Sequence, residues 1–103
     1  MEKKFSDKES ADLFKIFTEE IRLKIICHLI EGEMHVIELA KKLDIVQPLV
    51  SHHLRILKEK NIVTSERKGN KVNYSLNDDI RSKIHKDGEY VLDLGCCEIR
   101  FKK

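Results

Sequence analysis

The stretch VQPLVSHHLRILKEKNIVTSERKGNKVNYSL, residues 46–76, decides which fold the sequence predicts. In its first half, Val46, Val50, Leu54 and Leu57 recur at the spacing of one face of an amphipathic helix. Pro48, the only proline of the chain, suits the first turn of that helix, where no amide donor is lost. The stretch therefore opens with a helix whose buried side carries these four apolar residues.

The second half of the stretch predicts a β-hairpin. Residues 62–68 and 71–76 alternate in the manner of two strands, and Gly69-Asn70 between them makes a good two-residue turn. The segment from Val46 to Tyr74 has six basic residues against two acidic ones, a net charge of +4 in a chain whose total is +2. A basic segment in a near-neutral chain suggests an anionic partner on one face, although charge runs are usually solvated surface.

Further helices are predicted on both sides of this stretch. Ser10 can cap a first helix that carries Leu13, Phe14 and Phe17. Residues 20–31 are apolar on two sides, as in a central buried helix, and end at Gly32. Residues 35–44 form a short amphipathic helix, and residues 78–88 a last one that Gly88 ends.

The order of these elements predicts the fold class. Two short helices joined by a tight turn and followed by a basic hairpin describe a winged helix-turn-helix, mainly α with one hairpin. A C-terminal strand is expected after the short last helix, with Gly95 as a bulge where the buried side changes. A single domain is expected over residues 1–103. Its predicted parts are dimer and core helices at 10–31, the helix-turn-helix at 35–60, the wing at 62–76, and a C-terminal helix and strand for dimerisation or sensing at 78–103.

Composition excludes several classes of protein. With 41% hydrophobic and 37% charged residues, the chain is too apolar for a disordered protein. It has no apolar run long enough to span a membrane and no visible secretory signal, which favours a cytoplasmic location. Three cysteines without framework spacing favour reduced thiols over a disulfide scaffold. No Cys-His or carboxylate pair suggests an active site, so an enzyme is not expected.

Winding residues 46–58 at about 100° per residue separates the two faces of the decisive helix. With Val50 at the centre of the buried side, the outward residues are Pro48, Ser51, His52 and Arg55, flanked by Gln47 and Lys58. Most of these are hydrogen-bonding or cationic groups, which can reach base edges and phosphates from a major groove. His53 falls on the buried flank and is interpreted as a packed histidine with a satisfied ring nitrogen.

Residues 14–76 resemble the ArsR/SmtB family of metal-sensing transcriptional repressors. The similarity is most specific in IRLKII, the ELAKKL helix, VSHHLRILKEKNIV and the wing RKGNKVNYSL. It implies a homodimer that binds double-stranded DNA at an inverted-repeat operator and leaves it when an inducer binds. By analogy, the DNA contacts would come from Gln47, Pro48, Ser51, His52, Arg55, Arg67, Lys68 and Lys71. The dimer interface would include Leu13, Phe14 and Phe17.

The sequence departs from the sensing sites best known in that family. MHVIEL has His35 and Ile37 where relatives carry a Cys-x-Cys site, and Asp79 and His85 stand too close to the expected helix end for the zinc pattern. Adjacent Cys96 and Cys97 remain as soft donors suited to As(III), Cd(II) or Zn(II), or to another thiophilic ion. The pair supplies at most two of the three sulfurs of a trigonal site. Cys27 could supply the third, but a structural role as a small buried apolar residue is the favoured interpretation of Cys27.

Several alternatives stay open at this point. Cys96 and Cys97 are metal or metalloid ligands, a thiol redox pair, or strand residues of which Cys97 is packed in the core. The leading hypothesis is a repressor released by a thiophilic ion at the pair, with thiol oxidation as the alternative input. A winged-helix protein-interaction module without DNA binding is the alternative from another class. No cofactor is required in any of these.

Overall fold

The computed structural model describes residues 19–86, 90–93 and 98–101, and the single positions 8 and 15. The described elements are four helices and six strands, in the order α1 (Glu20–Glu31), β1 (Met34–His35), α2 (Val36–Leu43), α3 (Gln47–Glu59), β2 (Val63–Lys68), β3 (Lys71–Leu76), α4 (Asp78–Ser82), β4 (Ile84–Lys86), β5 (Tyr90–Asp93) and β6 (Glu98–Phe101). The winged helix-turn-helix expected from the sequence is confirmed.

Helix α1 is the central element of the fold. It has the predicted bounds and ends at Gly32, whose amide donates to the Leu29 carbonyl. Ile25, Ile26 and Leu29 are completely buried, because α1 packs against α2, α3 and β3. The carboxylate of Glu19 accepts a hydrogen bond from the Arg22 amide at 2.9 Å and so caps the N-terminus.

Helices α2 and α3 form the helix-turn-helix. A reciprocal capping box between His35 and Glu38 starts α2, and Asp44 ends it in the left-handed region at φ 54°. The Ile45 amide then donates to the Ala40 carbonyl at 3.1 Å, which closes the turn. Leu39 of α2 and Val50, Leu54 and Leu57 of α3 are fully buried, and this fixes which side of α3 faces outward.

The wing is the hairpin of β2 and β3, and β1 joins it as the third strand of an antiparallel sheet in the order β1-β3-β2. Lys68 pairs with Lys71, so the two-residue turn predicted at Gly69-Asn70 is confirmed. Gly69 has φ 63°, the positive angle that the first central residue of a type II′ turn requires. Strand β1 was not predicted; it is two residues long and pairs Met34 with Tyr74.

The C-terminal part differs from the expectation. The last helix ends at Ser82 instead of near Gly88, because the chain continues into β4 and pairs with β5, Ile84 opposite Leu92. Strands β5 and β6 are antiparallel neighbours, Asp93 opposite Glu98, so the expected single strand with a bulge at Gly95 is wrong. Strand β4 also has no counterpart in the sequence prediction.

The expected first helix lies almost wholly outside the described residues. Leu13, Phe14 and Phe17 are among the positions that are not described, so their role at a dimer interface stays a prediction. Among the residues that are described, no helix is long and apolar enough to cross a membrane.

Candidate nucleic-acid interface

The outward side of α3 carries the polar residues that the sequence predicted there. Because Val50, Leu54 and Leu57 point into the core, the opposite side is directed at solvent. All five residues proposed for DNA contact from this helix are exposed: Gln47, Pro48, Ser51, His52 and Arg55. The structure therefore places them on one accessible helix side, with hydrogen-bonding and cationic groups that suit a major groove.

His52 and Arg55 lie next to each other on this exposed side. An Arg55 guanidinium nitrogen, Nη2, is 3.3 Å from His52 Nδ1, one helical turn away. The pair combines a cation with an imidazole that can donate or accept, which are the properties needed to read a guanine edge or to hold a phosphate.

His53 faces the other way and is buried, as the sequence predicted. Its Nδ1 accepts a hydrogen bond from Arg22 Nε at 3.3 Å and lies 3.7 Å from a Glu19 carboxylate oxygen. Burial lowers the pKa of His53, the charge of Glu19 opposes this, and Arg22 and His52 lower it further. His53 therefore serves to fix α3 against α1.

Val46 is the one residue of the helical pattern that the structure places differently. It was expected on the buried side, but it is the N-cap of α3, and 70% of its surface is exposed. The helix begins one residue later, so an angle measured around the helix axis does not apply to Val46. Leu49, at 38% exposure, is also accessible on α3.

The wing presents the three basic residues expected there, all of them exposed: Arg67, Lys68 and Lys71. Arg67 folds back to donate from Nε to the Gly69 carbonyl at 3.4 Å. Lys68 Nζ lies 2.7 Å from an oxygen of Glu33, an ion pair that raises the pKa of Lys68 and lowers the pKa of Glu33. Any anion that binds Lys68 must therefore compete with Glu33.

Two contacts that connect the wing to the rest of the site were not found from the sequence. Lys58 Nζ, on α3, donates to Ser65 Oγ of β2 at 2.6 Å. Asn73 of β3 donates to the same Glu33 oxygen as Lys68, at 3.4 Å. These pairs are 7 to 40 residues apart in the chain, and no local pattern signals them.

The described residues do not include the proposed sensing pair. Cys96 and Cys97 lie outside them, so their role stays a prediction. Among residues 19–86, 90–93 and 98–101, no group of three or more His, Cys, Asp or Glu side chains is arranged to hold a metal ion. His35 is engaged with Glu38 in the capping box, and Asp79 and His85 lie on separate elements, α4 and β4.

Cys27 is half-buried on α1, beside a groove of about 720 Å³. Leu23, Leu43 and Tyr90 line this groove with it. Burial raises the pKa of the Cys27 thiol, which disfavours the thiolate that metal binding and oxidation both require.

This geometry defines a winged helix-turn-helix with an exposed recognition helix and a basic wing. Residues 19–65 match the family described as "Bacterial regulatory protein, arsR family". The chain belongs to this family of transcription regulators, which is not a family of enzymes.

Three proteins illustrate the relationship. The chain is 41% identical over 69 residues to the HTH-type transcriptional repressor SmtB of Mycobacterium tuberculosis, covering 67% of this chain and 51% of SmtB. It is 31% identical over 93 residues to the arsenical resistance operon repressor of Staphylococcus xylosus, covering 88% and 89%. The homodimeric winged helix-turn-helix DNA-binding domain of Mb0332 from Mycobacterium bovis superposes with a TM-score of 0.63 at 26% identity, covering 76% and 79%. The chain thus spans about half the length of SmtB and most of the other two.

Proposed function

We propose that the chain is a homodimeric, DNA-binding transcriptional repressor that binds an inverted-repeat operator. One observation carries the proposal: a fully buried apolar side of α3 directs Gln47, Ser51, His52 and Arg55 to solvent beside a basic hairpin. In this class of fold, the recognition helix enters the major groove, and the residues near its N-terminus contact base edges. Relatives that are repressors, and one whose DNA-binding domain is homodimeric, support the same assignment.

Dimerisation gives this interface its affinity and its symmetry. One recognition helix and one wing make few phosphate contacts, and such binding is weak and strongly salt-dependent. Two recognition helices about 34 Å apart double those contacts and require a site with two-fold symmetry. Among the described residues, Lys68 is paired with a carboxylate, whereas Lys71 and Arg67 have no such ion pair and can meet phosphate without breaking one.

The inducer in this proposal is a thiophilic ion, such as As(III), at Cys96 and Cys97. Similarity to an arsenical resistance operon repressor supports a metalloid input, and adjacent thiolates are the soft donors that it prefers. Cys27 is the weaker ligand, because its half-buried thiol has a raised pKa. Oxidation of the same two thiols is the alternative input.

An electrophoretic mobility assay with a salt titration tests DNA binding. A duplex enriched by the protein from a random-sequence pool should bind tightly at low salt and lose affinity steeply as salt rises. Absence of binding even at low salt would refute the repressor assignment and leave the protein-interaction module.

A second assay tests the input signal. Wild type and the double variant Cys96→Ser/Cys97→Ser are compared on that duplex, with and without As(III), Cd(II), Zn(II) and an oxidant. Release by one agent in the wild type alone identifies the input, and Cys27→Ser is the matched control that should still respond. Equal responses in the wild type and the double variant would remove the sensing role of the pair and leave DNA binding intact.

A further inference from the structure

The side chain of Val46 does not stabilise the helix that it precedes. It is the N-cap of α3, with φ −61° and ψ 140°, and it makes no side-chain hydrogen bond to the helix. Valine ranks among the poor N-cap residues, whereas serine, threonine, aspartate and asparagine satisfy one of the free amides. Its side chain is also not part of the core, since 70% of the residue is exposed. Folding therefore explains neither the apolar character of Val46 nor its exposure.

The surroundings of Val46 belong to the DNA-facing side of the molecule. Gln47 and Pro48 follow it on the same exposed first turn of α3. Val46 and Gln47 also border a shallow recess of about 430 Å³ between α2 and α3, with Ile37 and Lys41 on the α2 side. In a helix-turn-helix, this end of the recognition helix contacts base edges, while the preceding helix crosses the backbone.

The major groove offers one apolar group at its edges, the C5-methyl of thymine, and small apolar side chains contact it. A glutamine beside such a side chain can bind adenine through N6 and N7. Val46 thus suits the methyl group of a thymine, and Gln47 suits N6 and N7 of a neighbouring adenine. Lys41 and Asp44 both line the recess, so its charges balance and do not by themselves select a nucleic acid. The occupant follows from the position of Val46, which directly precedes the exposed hydrogen-bonding side of α3 at the end of the helix that meets base edges in this class of fold.

We propose that Val46 is a specificity-determining residue that recognises the C5-methyl of a thymine in each operator half-site, next to the base contacted by Gln47. This inference rests on the proposed DNA-binding function and adds to it the base that the N-terminus of α3 selects.

Deoxyuridine substitution tests the inference one methyl group at a time. The probe is the duplex that wild-type protein enriches from a random-sequence pool, with single thymines replaced by deoxyuridine, which removes the methyl and keeps every hydrogen-bonding atom. At the contacted thymine, wild-type affinity should fall by about fourfold, the equivalent of one buried methyl group. Replacement in both half-sites of a two-fold symmetric complex should lower the affinity by roughly 15-fold.

The variant Val46→Ser should bind the thymine and deoxyuridine duplexes equally. Serine is a favoured N-cap, so this variant should unfold at the same temperature as the wild type or higher, and loss of folding does not confound the result. Ile37→Ser, on the α2 side of the same recess, is the matched control and should keep the wild-type preference for thymine.

The possible outcomes distinguish a failure of DNA recognition from a failure of the role assigned to Val46. A wild-type pool that enriches no sequence refutes DNA recognition, and the inference about Val46 with it. An enriched duplex without a deoxyuridine-sensitive thymine, or with equal sensitivity in Val46→Ser, overturns the role of Val46 while the repressor assignment stands. Loss of the preference in Val46→Ser but not in Ile37→Ser supports the inference.

Discussion

Arg22, in the first turn of α1, donates a hydrogen bond from Nε to Nδ1 of His53 on the recognition helix, at 3.3 Å. An acceptor Nδ1 carries no proton, so the contact holds His53 in the neutral tautomer protonated on Nε2. Glu19 lies 3.7 Å from the same nitrogen and would attract a proton to it, but burial and Arg22 act in the opposite direction. This contact between α1 and α3 therefore requires an uncharged imidazole.

The first prediction concerns pH and follows from this contact. The pKa of His53 is lowered from 6.5 in the folded protein, so its contribution to stability is present above that value and is lost as pH falls through the folded pKa. The free energy of unfolding, measured with urea, should therefore decrease below about pH 6.5. His53→Asn keeps a hydrogen-bond acceptor without an imidazole and should remove this part of the pH dependence.

The effect of His53 on stability can be distinguished from that of other titratable groups. His85→Asn removes an exposed imidazole from β4 and is the comparison variant: a decrease that disappears in His53→Asn but persists in His85→Asn belongs to His53. Glu19 does not confuse the comparison, because its pKa is lowered from 4.5 and it affects the stability only at more acidic pH. A wild-type protein equally stable on both sides of pH 6.5 would contradict the prediction.

The second prediction concerns the ion pair between Lys68 and Glu33. Glu33→Gln should raise affinity for DNA, because Lys68 no longer exchanges a carboxylate for a phosphate. The slope of log affinity against log salt should become steeper by up to about one unit per protomer, as for one added phosphate contact. Glu59→Gln makes the same charge change at the end of α3 and is the matched control. Equal slopes in the two variants would show that Lys68 does not reach DNA.

The parts of the interface that the sequence predicted are those that local patterns encode. The buried side of α3 follows from the helical spacing of Val50, Leu54 and Leu57, and this fixes which residues face outward. The wing follows from strand alternation on both sides of Gly69, since a positive φ at that turn position favours glycine. These features depend on residues a few positions apart and need no knowledge of tertiary packing.

The parts that were missed depend on tertiary contacts or on a helix boundary. Val46 fits the helical spacing but lies one residue before the helix, where the spacing no longer says which way a side chain points. The partner of Lys68 is 35 residues away, and the early end of α4 reflects the pairing of Ile84 with Leu92. Strand pairing of this kind overrides the weak local preference of a short helix.

The third prediction concerns Arg81, which ties α4 to the end of α1. Its two terminal nitrogens donate to the carbonyls of Leu29 and Ile30 at 3.1 and 3.2 Å, in the last turn of α1, where intrahelical donors run out. The Leu29 carbonyl also accepts from the Gly32 amide. Arg81→Lys keeps the charge but cannot make both bonds in this fork geometry. The free energy of unfolding should fall by about 1 kcal/mol. Arg55→Lys, on the exposed side of α3, should change it much less, and an equal loss in both variants would contradict the prediction.

The fourth prediction concerns the bond from the hydroxyl of Tyr90 to the Glu31 carboxylate, which links β5 to α1. Burial, this hydrogen bond and the charge of Glu31 raise the pKa of Tyr90 to about 12, and Cys27 adds to the shift. Since the folded pKa lies above the ordinary value of 10.0, this contribution to stability is complete below that value and is lost as pH rises through about 12.

An ultraviolet titration of phenolate formation measures the pKa of Tyr90. One tyrosine should ionise near pH 12, and Tyr90→Phe should remove that step. Glu31→Gln should move the step to lower pH, because it removes the carboxylate charge. Tyr90→Phe should also lower the free energy of unfolding by about 1.5 kcal/mol, the lower end for a hydrogen bond to a charged group, because Glu31 is exposed. Unchanged titration of Tyr90 in Glu31→Gln would show that burial alone sets its pKa.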